Sequence, residues 1–169
     1  MKNWIFIFMI SMITLPGYGK VKVQKPKMKH PTAFAILVDE VTYEKIPGAI
    51  EAYRDAIEID GLSAYIVSGN WESPDQVRKE IVALSRRKPV LEGIVLVGDI
   101  PVAMIRNAQH LTTAFKMDEE AFPFIESSVP SDRFYDDLHL TFDFIRRDSV
   151  HPDSFYSKFR EDSPQQLQP

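Results

Sequence analysis

"GIVLVGDIPVAMIR", residues 93–106, opens as a run of apolar residues and then delivers a carboxylate, Asp99, directly after a glycine. Extended backwards to "LEGIVLVGD", the run has the length of a strand and little polar alternation, the pattern of a strand buried on both faces. Asp99 then stands at the carboxyl end of a buried strand. What that position means depends on the strands beside it.

Two similar runs precede it. "TAFAILVDE", residues 32–40, is continuous in apolar residues and ends in the carboxylates Asp39 and Glu40; "LSAYIVSG", residues 62–69, is the second. Helical patterns separate them. "IPGAIEAYRDAIEIDG" puts Ile46, Ile50, Tyr53 and Ile57 on one face, with Pro47 in the first turn and Gly61 just past the end. In "SPDQVRKEIVALSRRKP", Ser73 is an N-cap, Pro74 takes the first helical position and Gln76 completes a capping box. Val77, Ile81 and Leu84 face the core, Arg86, Arg87 and Lys88 complement the negative end of the helix dipole, and Pro89 stops it.

Alternation of strand and helix predicts an α/β fold: an open, mainly parallel three-layer sheet of the Rossmann-like or caspase-like kind, with right-handed crossovers and helices on both faces. A strand order of 2-1-3 would open a crevice between the carboxyl ends of the first and third strands, with Asp39 and Asp99 on either side, where such sheets bind ligands. The plainer alternative is that each carboxylate caps the turn that follows its strand.

After residue 100 the alternation weakens. "PVAMIRNAQHLTTAFK" fits one irregular helix or two short strands, and "MDEEAFPFIESSVPSDRFYDD" reads as a long ordered loop. "LHLTFDF" alternates, with Leu138, Leu140, Phe142 and Phe144 on one face, so it is a half-buried strand that "SFYSKF" pairs with across "RRDSVHPD". The tail "REDSPQQLQP" supplies no closing element, and the expectation is a sheet incomplete at its C-terminal side, with Phe142, Phe144, Phe155 and Phe159 short of packing partners.

Composition narrows the function. The 169-residue chain is apolar enough for one core, and it has no cysteine, which excludes disulfides, thiolate metal sites and a thiol nucleophile. The segment "KVKVQKPKMKHP", residues 20–31, reads as a basic solvated linker. After Pro31, 14 basic residues face all 24 acids, a net of −10, which argues against a nucleic-acid partner. Before the linker, "MKNWIFIFMISMITLPGYG", residues 1–19, has a basic start, an apolar centre too short to span a bilayer and a small-residue end. It is the order of a secretory signal cleaved after Gly19, which predicts a secreted, periplasmic or cell-surface protein without stable membrane insertion.

No complete catalytic set is visible. His30, His110, His139 and His151 lack metal-ligand spacing, and two of them precede proline in turn-like settings. Phosphate-loop and nucleophile-elbow patterns are missing. Asp132, Asp136 and Asp137 in "SDRFYDD" are the candidate oxygen ligands for calcium, against the alternative of a solvated acidic loop, and no other cofactor is implied.

Two resemblances follow from these pieces. "ILVDE" and "LVGDIP" are similar to the acidic pair and phosphoacceptor of bacterial receiver domains, which would make Asp39 and Glu40 magnesium ligands and Asp99 the phosphorylated residue. The export signal, the 60-residue separation of Asp39 and Asp99 and the lack of a later strand ending in lysine speak against it.

The second covers Thr32 to Phe144. "AFAILVD", "IEAYRDAIEIDG", "PDQVRKEI", "LEGIVLVGDIP" and "VPSDRFYDDL", in that order, resemble the first part of the peptidase domain of gingipain-type cysteine peptidases. The resemblance implies that residues 32–169 form part of a caspase-like α/β domain whose catalytic parent hydrolyses peptide bonds through an acyl-enzyme. Here no histidine precedes a glycine and there is no cysteine, so no catalytic residue carries over. The expectation is a secreted gingipain-like peptidase fragment, inactive alone, whose partner is a protein or peptide substrate. The alternative is a non-catalytic secreted binding domain.

Overall fold

A computed structural model describes residues 21–107, 121–122 and 127–160. The signal segment, His110 and the stretch after Asn107 read as strand or helix lie outside the described residues.

The fold is α/β, and the described residues build two four-stranded sheets. In the first, β2 (Thr32–Asp39), β3 (Ser63–Gly69) and β4 (Val90–Val97) are parallel, and β1 (Lys22–Gln24) adds antiparallel to β3. The order β1-β3-β2-β4 gives the three apolar runs the 2-1-3 arrangement that the crevice requires. Between β2 and β3 come α1 (Glu40–Lys45) and α2 (Pro47–Ile59); α3 (Pro74–Ser85) joins β3 to β4.

Strand alternation sends the two faces of β2 to opposite layers. Ile36 and Val38 pack with Ile50 and Ile57 of α2, while Ala33, Ala35 and Leu37 pack with Val77, Ile81 and Leu84 of α3. Each fully buried aliphatic side chain contributes about 1.5–3 kcal/mol, so this sandwich is the main source of stability. A bulge in β4 at Glu92 lets both Leu91 and Ile94 reach the α3 face.

The start signals for α3 hold: the Ser73 hydroxyl accepts from Gln76 N at 3.4 Å, and the Gln76 side chain accepts from Glu72 N at 2.8 Å, one residue earlier than an ideal capping box; the helix ends at Ser85, before Arg87, Lys88 and Pro89. In α2 the expected face shifts. Ile50 and Ile57 are buried, but Ile46 and Tyr53 are exposed, and Arg54 and Glu58 take the inner positions. These charges are tolerated inside because they have partners: Glu58 accepts from Lys27 N at 2.8 Å and Ala64 N at 3.4 Å, and Arg54 donates to Gln24 at 3.2 Å.

Those partners also hold the basic segment. Its described side chains are exposed or half-buried, as in a solvated stretch, but Lys22–Gln24 form an edge strand, and Glu58 and Ser63 hold the backbone of Lys27 and His30 against the body.

The second sheet runs β6-β5-β8-β7, formed by β5 (Val102–Arg106), β6 (Val129–Pro130), β7 (Phe142–Arg147) and β8 (Ser154–Phe159). "VAMIR" is therefore strand, parallel to β8. The expected hairpin forms, but its first strand is Phe142–Arg147 and not 138–144: residues 138–141 are not strand, and Arg146 and Arg147 of the expected connection are. The loop before it contains a helical turn, α4 (Arg133–Asp136), which buries Phe134 and Tyr135. Contrary to expectation, Phe155 and Phe159 are buried; Phe134, Phe142 and Phe159 stack in series at 5.0 and 5.8 Å, and Phe142 packs against the main core. Phe144 shares the face of Phe142 by register, opposite Ser157, but is exposed on the edge strand next to a bulge at Ile145. Arg78 of α3 joins the sheets: it donates to the carbonyls of Asp137 at 3.0 Å and Leu140 at 2.6 Å, and its guanidinium lies over Phe134 and Phe142.

Among the described residues no helix is long and apolar enough to cross a membrane.

Candidate functional site

The crevice expected at the carboxyl ends of the parallel strands exists, as a cavity of about 670 Å³. One wall is the end of β2 with the start of α1; another is the β3–α3 turn, Asn70 to Glu72; a third is Asp99 and Pro101 after β4. The second sheet closes it through Arg147 and Asp153.

Asp39 organises the floor. One oxygen accepts from Thr42 N at 2.9 Å and caps α1; the other accepts from Asp99 N at 2.9 Å. Burial pushes this carboxyl up, but the Thr42 hydroxyl and N–H, the Asp99 N–H and the Val41 N–H together hold it below the ordinary carboxylate value. The capping alternative thus holds for Asp39. Gly98 makes the contact possible: at φ +83° it lies so near that an added Cβ would stand 1.9 Å from Asp39 Oδ2 and 2.5 Å from Thr42 Oγ1. The glycine before Asp99 is therefore required by close approach as well as by backbone conformation.

Asp99 contributes its backbone to that link, and its exposed side chain faces the crevice region free of side-chain partners among the described residues. Trp71, which sequence reasoning did not single out, roofs the end of β2 by donating from its indole to Val38 O at 3.1 Å. An aromatic residue in the turn "GNWESP", directly after a strand, was the available signal.

The β7–β8 turn is shaped by Asp148, whose carboxylate accepts from Val150 N at 2.7 Å, His151 N at 2.9 Å and the Tyr156 hydroxyl at 3.0 Å. The His151 and Val150 N–H groups hold the Asp148 carboxyl below its usual value. Arg147 donates to Pro152 O within the same turn, and Asp153 O accepts from Val102 N at 2.7 Å. Tyr135 pins the wall opposite by donating to Pro101 O, and burial pushes its phenol up, keeping it a donor.

The crevice is acidic. Asp39, Glu40, Glu72, Asp99 and Asp153 line it against Lys45 and Arg147. Asp39 is engaged as described and Glu40 pairs with Lys22 at 2.8 Å, so the two residues a receiver-like site would use for magnesium already have partners. Among the described residues no side chain engages the carboxylates of Glu72, Asp99 and Asp153.

No family model matches this chain, and no curated protein or solved structure matches it. Its chemistry rests on the residues themselves.

The other sequence candidates lie elsewhere. Asp132 precedes α4 without a side-chain cap bond, Asp136 pairs with Arg133 at 3.8 Å, and Asp137 accepts from His139 N at 3.2 Å. Among the described residues no three His, Asp or Glu side chains converge as a metal cluster. His139 and His151 are exposed, and His30 sits at the other end of the sheet, where its N–H donates to Ser63 Oγ at 2.7 Å.

Proposed function

We propose that this chain is an exported, non-hydrolytic peptide-binding unit related to the first part of gingipain-type peptidase domains, with a caspase-like arrangement of its parallel sheet. The observation that carries the binding reading is the carboxyl-end crevice. It is open, sits where parallel sheets receive ligands, and offers the unengaged carboxylates of Glu72, Asp99 and Asp153. Such a site recognises a cationic side chain on a peptide or protein. Hydrolysis by a thiolate is excluded, because the sequence contains no cysteine.

Fluorescence anisotropy with labelled peptides tests this. A peptide carrying Lys or Arg should bind and its Glu-substituted counterpart should not. The double variant Glu72→Gln/Asp153→Asn removes two exposed charge contacts of about 0.2–1 kcal/mol each, so affinity should fall by about 2- to 30-fold. Equal binding of both peptides, or cleavage of either by the purified chain, would overturn the proposal.

A further inference from the structure

A second cavity, of about 890 Å³, opens at the opposite, amino end of the parallel strands. Its charged lining is entirely basic: Lys25 and Lys29 from the β1–β2 segment, Arg87 and Lys88 from the turn between α3 and β4. Pro26, Pro31, Pro89 and Tyr65 supply an apolar surface between them. No carboxylate lines it, although the body after Pro31 carries a net of −10.

Tertiary structure builds this cluster. Glu58 accepts from Lys27 N and Ser63 from His30 N, which ties the lysine segment beside the start of β3. The helix dipole favours cations just past the end of α3. It does not account for Lys25 and Lys29, which come from a segment about 60 residues earlier and stand against the strand starts. All four cationic side chains are exposed, and among the described residues none forms an ion pair. Gathering like charges without a counterion is unfavourable, and the cost is relieved when an anion occupies the centre.

We infer that this cavity binds a phosphate monoester, the phosphoryl dianion lying among Lys25, Lys29, Arg87 and Lys88 and the organic part against the three prolines and Tyr65. A dianion matches the charge density better than a carboxylate, and the guanidinium of Arg87 offers the forked donors that phosphoryl oxygens accept. The volume is that of a small-molecule site. This inference does not depend on the peptide reading of the other crevice.

Isothermal titration of the full chain with phenyl phosphate, inorganic phosphate and phenol tests it. Phenyl phosphate should bind about tenfold or more tighter than inorganic phosphate, and phenol should give no heat, because both halves of the ligand contribute. Lys29→Gln and Arg87→Gln, both at exposed positions, should each weaken phenyl phosphate about threefold or more, whereas Arg86→Gln, outside the cavity, should change it by less than about twofold. Vesicles of phosphatidylcholine with and without phosphatidic acid separate the sources. Capture that needs phosphatidic acid and is lost in Arg87→Gln supports the site and assigns the monoester to a lipid headgroup; phenyl phosphate binding without capture supports a soluble ester. No saturable binding of phenyl phosphate, equal losses in Arg86→Gln and Arg87→Gln, or tighter binding of duplex DNA than of phenyl phosphate would overturn it.

Discussion

The Asp39 carboxylate accepts the backbone N–H of Asp99 at 2.9 Å, joining the carboxyl ends of β2 and β4 across 60 positions of sequence. Its other oxygen caps α1, so one side chain sets both the start of a helix and the turn leaving the last parallel strand. The crevice inherits its shape from this pair.

Asp39→Ala should therefore cost about 2–3 kcal/mol, the sum of a lost cap and a lost charge-assisted bond to a partly buried N–H. Asp39→Asn keeps an acceptor and should cost about 1–2 kcal/mol. Gly98→Ala should be at least as damaging as Asp39→Asn, because its methyl would collide with Asp39 and Thr42. Urea melts of the three variants check the ranking. A Gly98→Ala protein as stable as wild type would remove the close-approach argument.

Acid should unlock the same pair. The Asp39 carboxyl lies below its ordinary value of 3.8, so its stabilising contribution is complete above that pH and is lost as pH falls through the depressed folded value. Thermal melts between about pH 5 and pH 2 should show a loss of stability that is smaller in Asp39→Asn, which has no proton to take up.

Arg78 links α3 to the second sheet by geometry that lysine does not reproduce. Arg78→Ala should destabilise by about 2–3 kcal/mol, through lost bonds to two carbonyls and lost contact with Phe134 and Phe142. Arg78→Lys should recover less than half of that: both carbonyl bonds come from one nitrogen, Nη2, but an ammonium lacks the planar face that lies over Phe134 and Phe142. Chemical denaturation measures both; full rescue by lysine would mean that charge alone matters.

Apolar edges remain open among the described residues. β4 ends the first sheet with Val90 exposed, and β7 ends the second with Phe144 and Ile145 exposed. The wild-type chain should bind a hydrophobic dye or self-associate, and Val90→Lys together with Phe144→Lys should reduce both with a change in stability of no more than about 1 kcal/mol. Light scattering that is unchanged in the double variant would locate association elsewhere.

Export predicts a particular terminus. Mass spectrometry of the protein from the periplasm, surface or medium should find a mature chain beginning at or near Lys20. An intact Met1 on a cytoplasmic protein would overturn the signal reading.

Local chemistry was enough for the elements of the first sheet. Apolar runs of strand length and Ser73 and Pro74 at the start of α3 are decided within a few residues, and alternation of strand and helix implied the parallel pairing of those runs. The sequence also placed Asp39 and Asp99 beside one crevice, since residues at adjacent strand ends must meet there. It did not reveal that Asp39 meets the backbone of Asp99 and not its side chain. Nor did it reveal that Glu58 and Arg54 belong inside, because a charge is buried only where partners distant in sequence satisfy it, here Lys27, Ala64 and Gln24. The same contacts turned a lysine-rich stretch into an edge strand and brought Lys25 and Lys29 beside Arg87 and Lys88. Periodicity reports which face of an element is apolar; which charged groups share a cavity is decided only when the chain closes on itself.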